Sequence, residues 1–544
     1  MNTFEIENSF FGRKSVLELL KRRVIDLKEG YRQNVAFLGN RYVGKSSILR
    51  RFIHDLDDKD IIEIYLDLDN SESDYVFTKF SASLLYNFSR CKGLPLHDDL
   101  DLLIESTKKF IPQTIESIKK IQANFLKGKI AEAYRDLISL PEVFTLEAGK
   151  FCILMIDEFH NLEDLTIPNA FQELGKKIMT QKRCLYIVAS SQEALAKKIL
   201  TEKLSLLFGN FEVVNVEPFD LKTSQEFIQS HLGPIKIGAN LKNFLVDFTG
   251  GHPFYLSYIC QELTALSALH RQEEIYLPIL IQAIENTIFN PWGVLGRHFE
   301  LLVTQLCSKN NRMIAPVLFA LAGGKHKLED IIKDLEIKKP LALQKINRLV
   351  EQGIVIRNGN FYYLQDKLFR YWIKYVYQKR LKAVDGTIDR QKRLFHEEFE
   401  RLVNDFRNVS QKDLPSRVVE LLHCFDNEAF QINGRKYKLP LFEKIVAVPL
   451  KGLENKNFQM IKASSGEGAW YIVLKEATLQ EMDVNTFLAE SANLSEKPQR
   501  RLIISLNELD DNARLKALQE KMWIWSESEL NTLLNFYDKP YIVR

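Results

Sequence analysis

The 544-residue sequence has six cysteines but no C-x-x-C pair. Cys91, Cys152, Cys184, Cys260, Cys307 and Cys424 are scattered, and several sit inside apolar runs. That spacing excludes a zinc ribbon and a disulfide frame. The thiols read as reduced, buried side chains, and a cytoplasmic location is expected. No run of about 18 apolar residues occurs, so neither a transmembrane helix nor a membrane partner is expected. Residues 1–7 lack a basic stretch followed by an apolar one, so no signal peptide is expected there. Net charge is also scarce, at +3 over the whole chain. Such a total names no partner, although its distribution does. What remains is 46% hydrophobic and 27% charged residues. That balance is the one of a globular protein, and the length calls for several domains.

The strongest feature is Gly39-Asn40-Arg41-Tyr42-Val43-Gly44-Lys45-Ser46, which fits the phosphate-binding pattern G-x-x-x-x-G-K-[ST] without a mismatch. Residues 34–38 before it form an apolar run that predicts a buried parallel strand. Residues 47–53 after it place Ile48, Leu49 and Phe52 at helical spacing, with Ser47 in the first turn. Strand, glycine turn and helix start are what phosphate binding needs. The glycines let successive N–H groups point inward, and the helix start adds partial positive charge. Lys45 can then reach the terminal phosphates of ATP, and the Ser46 hydroxyl can ligate Mg²⁺.

Residues 151–156 form a second apolar run, ending in Asp157-Glu158. Carboxylates at the C-terminal end of a central strand face the ligand edge of an open α/β sheet. Asp157 is expected to hold Mg²⁺, and Glu158 to orient and activate the attacking water. A further strand over residues 183–189 ends in Ser190-Ser191. One of these serines is a candidate to sense the terminal phosphate, with Ser190 taken as the catalytic one, and the other is a helix cap. Residues 61–68 and 211–219 predict two more strands. Between them, residues 75–146 read as a helical insertion with no chemical motif. Residues 221–300 read as a helical lid. Its marker, Gly250-Gly251-His252-Pro253, ends one helix and begins the next.

Together, Phe11-Gly12-Arg13, the Gly39–Ser46 loop, Ile156-Asp157-Glu158, Ala189-Ser190-Ser191, Glu217-Pro218-Phe219 and Gly250-Gly251-His252-Pro253-Phe254-Tyr255-Leu256 resemble the archaeal-type ATPases, in the STAND branch of the AAA+-related P-loop ATPases. The resemblance covers roughly residues 1–380. It implies an ATPase with a parallel sheet of strand order 5-1-4-3-2, a helical lid and a winged helix. It also implies that Phe11, Gly12 and Arg13 lie near the adenine, and that His252 and Pro253 stand at the nucleotide. Self-association on ATP binding is a further expectation.

Residues 301–382 predict three helices followed by a two-stranded wing with an Asn-Gly turn. This segment carries sixteen Lys and Arg against six Asp and Glu, a net charge of +10 inside a nearly neutral chain. The expected partner is double-stranded DNA, with Lys338, Lys339, Lys345, Arg348 and Arg357 as phosphate contacts. The alternative is a solvated face on a protein-contact module. A charged helical linker follows over residues 383–414.

Residues 415–544 turn to an α/β pattern that resembles a restriction-endonuclease-like domain, such as ends some archaeal-type ATPases. Its cleavage centre would need an Asp on one strand and Glu-x-Lys on the next. Lys475 is present, but Val473 stands where the metal-binding Glu should be, and the preceding predicted strand offers only Glu443. Loss of cleavage is therefore expected. The expectation is an ATP-driven switch coupled to a DNA-binding winged helix. An ATP-dependent nuclease of a defence or mobile-element system, or an ATP-dependent signalling scaffold, are the alternatives.

Overall fold

The structure is a computed structural model that describes residues 10–69, 72–204, 209, 211–307, 313–382, 388–432, 434–448, 458–494, 496–507 and 509–542. Residues 1–7, read above for a signal peptide, lie outside these, as do Lys309 and Arg312 of the basic segment. The chain divides into two compact units, residues 1–219 and 220–544.

The first unit is built on five parallel strands: β1 (Asn34–Leu38), β2 (Ile61–Asp67), β3 (Phe151–Asp157), β4 (Cys184–Ser190) and β5 (Phe211–Asn215). Their order across the sheet is β5-β1-β4-β3-β2, as the resemblance implied. Every residue of β1 and β4 is buried, which a central strand covered on both faces requires. The two faces alternate residue by residue. Val35 and Phe37 pack with α1 (Lys14–Lys28) and α2 (Lys45–Asp55), through Leu20, Val24, Ile48 and Phe52. Ala36 and Leu38 face the other way, into a larger core. That core is supplied by α3 (Ser73–Lys92), α4 (Leu100–Thr107), α5 (Pro112–Leu126), α6 (Ile130–Ala148) and α7 (Ala170–Thr180). Four of these helices lie between β2 and β3. They are therefore one wall of the main core, through Phe80, Leu84, Phe88 and Phe144.

The second unit begins with α8 (Leu221–Leu232), α9 (Ala239–Thr249), α10 (Pro253–His270), α11 (Leu277–Ile284) and α12 (Val294–Leu306). Next come α13 (Ile314–Ala322), α14 (Leu328–Leu335), α15 (Lys339–Glu351) and the antiparallel hairpin β6 (Val355–Asn358) and β7 (Phe361–Leu364). The helices α16 (Lys367–Trp372), α17 (Gln378–Lys382), α18 (Ile388–Ser410) and α19 (Leu414–Leu422) lead to a second hairpin, β8 (Glu428–Ile432) and β9 (Arg435–Leu439).

A mixed five-stranded sheet follows: β10 (Phe442–Val448), β11 (Phe458–Ser465), β12 (Gly468–Lys475), β13 (Pro498–Ser505) and β14 (Trp523–Trp525). The first three strands are antiparallel and the last three parallel. Parallel neighbours need crossovers, and α20 (Glu481–Ala492) and α21 (Asp511–Gln519) supply them. Strand β11 corrects the sequence reading, which passed over it. The strand before β12 is β11, not the one that carries Glu443, and β11 contains no carboxylate.

The hairpin of β6 and β7 does not stand free. The Asn360 N–H donates to the Ala429 carbonyl at 3.0 Å. The Asn358 amide exchanges hydrogen bonds with Gln431, donating at 2.7 Å and accepting at 2.6 Å. Phe361 and Tyr363 belong to the same core as Phe425, Phe430, Trp525 and Phe536. The end of the described chain also returns to the helices. The Tyr541 N–H donates to Asp247 at 2.9 Å, and Asp247 pairs with the buried Lys367 at 2.8 Å.

Candidate functional site

The site is assembled at the C-terminal ends of β1, β3 and β4. The loop leaves β1 at Gly39, whose N–H donates to the Ser190 carbonyl at 3.3 Å. A Cβ on Gly39 would lie 2.2 Å from the Val216 carbonyl oxygen, so only glycine fits. Gly44 turns the chain into α2 with φ +105°, again open only to glycine without strain. Tyr42 takes the left-handed conformation at φ 61° without that freedom. Within this turn Lys45 is buried. Its ammonium donates to the carbonyls of Gly39 at 2.9 Å and Asn40 at 2.8 Å. Burial pushes it below its ordinary pKa, against the pull of Glu158 and Asp157. Ser46 is half-buried and Ser47 exposed, both in the first turn of α2. Val43 packs into the core. Arg41 pairs with Asp69, just past β2, at 2.7 Å.

The carboxylates come next. Asp157 is buried, and its oxygens accept from the Tyr65 hydroxyl at 3.0 Å and the Glu158 N–H at 3.1 Å. Glu158 sits in the left-handed region at φ 49°, immediately before a 3₁₀ turn over Phe159–Glu163. One oxygen of its side chain accepts both the N–H and the hydroxyl of Ser191, each at 2.8 Å. Burial raises the Glu158 pKa above the usual carboxylate value. Lys45 and the Ser191 hydrogen bonds oppose the rise. His160 approaches the same oxygen at 3.4 Å and shares a 2.9 Å hydrogen bond with the Ser190 hydroxyl. Burial lowers the His160 pKa to about 4, so at neutral pH the imidazole is uncharged and forms no ion pair with Glu158.

These placements refine the sequence reading. Ser190 is fully buried, with its hydroxyl on His160 and Gln192, because it is the last residue of a strand covered on both sides. Ser191, one residue on, is the serine that meets Glu158. Phe11, Gly12 and Arg13 pack against the end of β1's neighbouring connection. The Arg13 guanidinium lies 4.9 Å from the Phe219 ring and donates to the Val43 carbonyl at 3.4 Å and to that of Glu217. The Phe11 and Phe219 rings meet edge to face at 6.2 Å. His252 and Pro253 belong to the second unit. There His252 caps α10, and its ring stacks on Tyr255 at 4.3 Å.

The basic candidates also lie in the second unit. Lys338 caps α15, Lys339 opens it, and both are exposed. Lys345 and Arg348 are half-buried on the same helix, and Arg357 is exposed on β6, 5.7 Å from the Tyr362 ring.

Sequence reasoning missed Tyr65, Asp67, Asp69 and His160. The two aspartates stand at and just beyond the end of a strand beside β3, a position that could have flagged them. Asp67 is level with Asp157 across the sheet, and its pKa is raised by burial first and by Asp157 as well. His160 carries no pattern of its own and is brought in by the turn after Glu158.

The residues present fit ATP and Mg²⁺. The loop has the two glycine positions that phosphate wrapping demands, and the hydrogen bonds of Lys45 go to loop carbonyls that a phosphate can replace. A buried aspartate, Asp157, stands at the end of β3, one strand beyond β4 from the loop-bearing β1.

Residues 10–259 match the family model of an ATPase domain predominantly from Archaea. Among solved structures, the chain is similar to the Walker-type ATPase paby2304 of Pyrococcus abyssi. Identity is 18%, covering 67% of this chain and 96% of that one, with a TM-score of 0.48. It is also similar to the Aeropyrum pernix ORC2 protein, at 10% identity over 69% and 96% of the two chains, with a TM-score of 0.42. For Cdc6p from Pyrobaculum aerophilum the figures are 13%, 73%, 99% and 0.35. No curated protein matches. The match spans residues 10–259, somewhat less than half of the chain, and likens that part to ATPase domains found predominantly in Archaea.

Proposed function

We propose that this ATPase is a nucleotide-driven switch whose basic winged helix binds double-stranded DNA. In the reaction, the loop from Gly39 to Ser46 wraps the phosphates and Lys45 neutralises their charge. Ser46 and Asp157 would hold Mg²⁺, which when bound offsets phosphate charge. Glu158 accepts the proton of the attacking water. The two hydrogen bonds from Ser191 orient its carboxylate and favour the ionised form. Neutral His160, fixed by Ser190, fills the space beside Glu158 without competing for that proton. Phe11 and Arg13, packed on Phe219, are suited to border a flat base.

The observation that carries the DNA reading is the charge of residues 301–382, +10 in a chain of +3. Three helices and a hairpin support a winged helix, and α15 presents Lys338 and Lys339 to solvent. The hydrogen bonds of the wing tip to β8 favour a second reading, in which this module makes protein contacts. The α/β region from β10 onward is proposed to be nuclease-like in architecture but inactive. Val473 is buried opposite Met460 and Ile503, and the Lys475 ammonium is engaged by Asp483. Among the described residues no group of three or more His, Cys, Asp or Glu side chains could by itself hold a metal ion.

The deciding experiment is the ATPase rate with and without double-stranded DNA across protein concentrations. Stimulation by DNA supports the switch, and a rate per chain that rises with concentration adds self-association. A rate indifferent to DNA, with no DNA binding at low salt, leaves the protein-contact reading.

A further inference from the structure

A cavity of about 320 Å³ lies in the second unit, lined in part by the C-terminal end of the basic segment 301–382 but by none of the five cations named as DNA contacts. Its apolar walls are Phe289, Val376, Leu394 and Phe395. Phe289, Val376 and Phe395 are buried, whereas half of Leu394 remains exposed at the mouth. The volume is that of a small-molecule site.

The rim is cationic. Lys379, Arg380 and Lys382 from α17 and Arg390 from α18 line it, against one carboxylate among the described residues, Glu398. Glu398 is turned to Arg401 at 3.6 Å. Arg380 is the telling residue. It is half-buried, donates to the Phe289 carbonyl, and has no carboxylate within ion-pair distance among the described residues. Burial lowers its pKa, with Glu300 opposing the shift. A half-buried guanidinium beside an apolar hollow is poorly compensated, and an anionic group at the rim would restore the balance. Lysines that only solvate a helix would have no need of a hollow beneath them.

We propose that this cavity binds an amphiphilic anion: an apolar ring or short acyl body between Phe289, Val376 and Phe395, with a phosphate or carboxylate head at Lys379 and Arg380. A nucleoside monophosphate and a medium-chain fatty acid share that chemistry.

The test uses the full chain carrying Lys45→Ala, so that a nucleotide cannot report on the phosphate loop. The probe is 1-anilinonaphthalene-8-sulfonate, followed by fluorescence. The expected result is one saturable site per chain. Uncharged N-phenyl-1-naphthylamine should bind at least about tenfold more weakly, as loss of a charge-assisted contact implies. Arg380→Gln should weaken the sulfonate by a similar factor. Because Arg380 also holds a backbone carbonyl, Lys379→Gln with Lys382→Gln, both at exposed positions, gives the same test without that risk to folding. Displacement by AMP then identifies a nucleoside phosphate, and displacement by decanoate an acyl carboxylate. Absence of a saturable site, equal affinity for the uncharged compound, unchanged affinity in the double lysine variant, or displacement by neither competitor overturns the proposal.

Discussion

Ser191 donates its backbone N–H and its hydroxyl to the same oxygen of Glu158, each at 2.8 Å. The pair joins the ends of β3 and β4, which are neighbours in the sheet although 33 residues apart in the chain. The arrangement fixes the carboxylate before any substrate arrives, and it makes the ionisation of Glu158 depend on Ser191.

That dependence gives a pH prediction. Burial already raises the Glu158 pKa, and the Ser191 hydrogen bonds lower it because they favour the charged form. Ser191→Ala removes the hydroxyl and should raise the pKa further. Glu158 must be ionised to act as a base, so the acid limb of kcat against pH should move to higher pH in the variant. A limb that stays in place would remove Ser191 from this role.

Glu158→Gln keeps the shape of the side chain and removes the base. ATP binding should survive, and turnover should fall about 10²-fold or more. Equilibrium binding and steady-state hydrolysis, measured on one preparation, separate the two effects. Equal turnover in variant and wild type would contradict the assignment.

Lys45→Ala takes away the one buried ammonium of the loop. Loss of its charge contact should weaken ATP binding by about 10²-fold or more. The thermal midpoint without nucleotide serves as the control, since Lys45 also ties down two loop carbonyls. Retained affinity in a folded variant would be incompatible with the phosphate-loop reading.

DNA binding, where measured, should fall with salt by about 0.9 logarithmic units per phosphate contact. Lys345 and Arg348 are three residues apart on α15 and share a face. Replacing both by Ala should reduce the salt slope by about two. An unchanged slope moves the contact to other cations of the segment.

The α/β region should not cut DNA with Mg²⁺ or Mn²⁺, because Val473 is packed in a core and supplies no ligand. Metal-dependent cleavage by the full chain that disappears in Lys475→Ala would refute this and restore the nuclease alternative.

The sequence by itself determined the phosphate loop, the Asp157-Glu158 pair and the parallel sheet. Each is written in a short window: two glycines at fixed spacing, an apolar run closed by two carboxylates, and strands buried on both faces. The family resemblance added the strand order. The charge of residues 301–382 was equally legible, since it is a count. What only the tertiary structure decided is which side chains meet across those windows. Ser191 rather than Ser190 holds Glu158 because one step along a strand end changes the side a residue faces. His160 joins the site because Glu158 adopts a left-handed conformation that turns the chain back. Strand β11 escaped the sequence reading because its polar residues broke the apolar run. Docking of the β6–β7 hairpin on β8 left no local trace, since hydrogen bonds between residues some 70 positions apart are set by packing and not by neighbours in the chain.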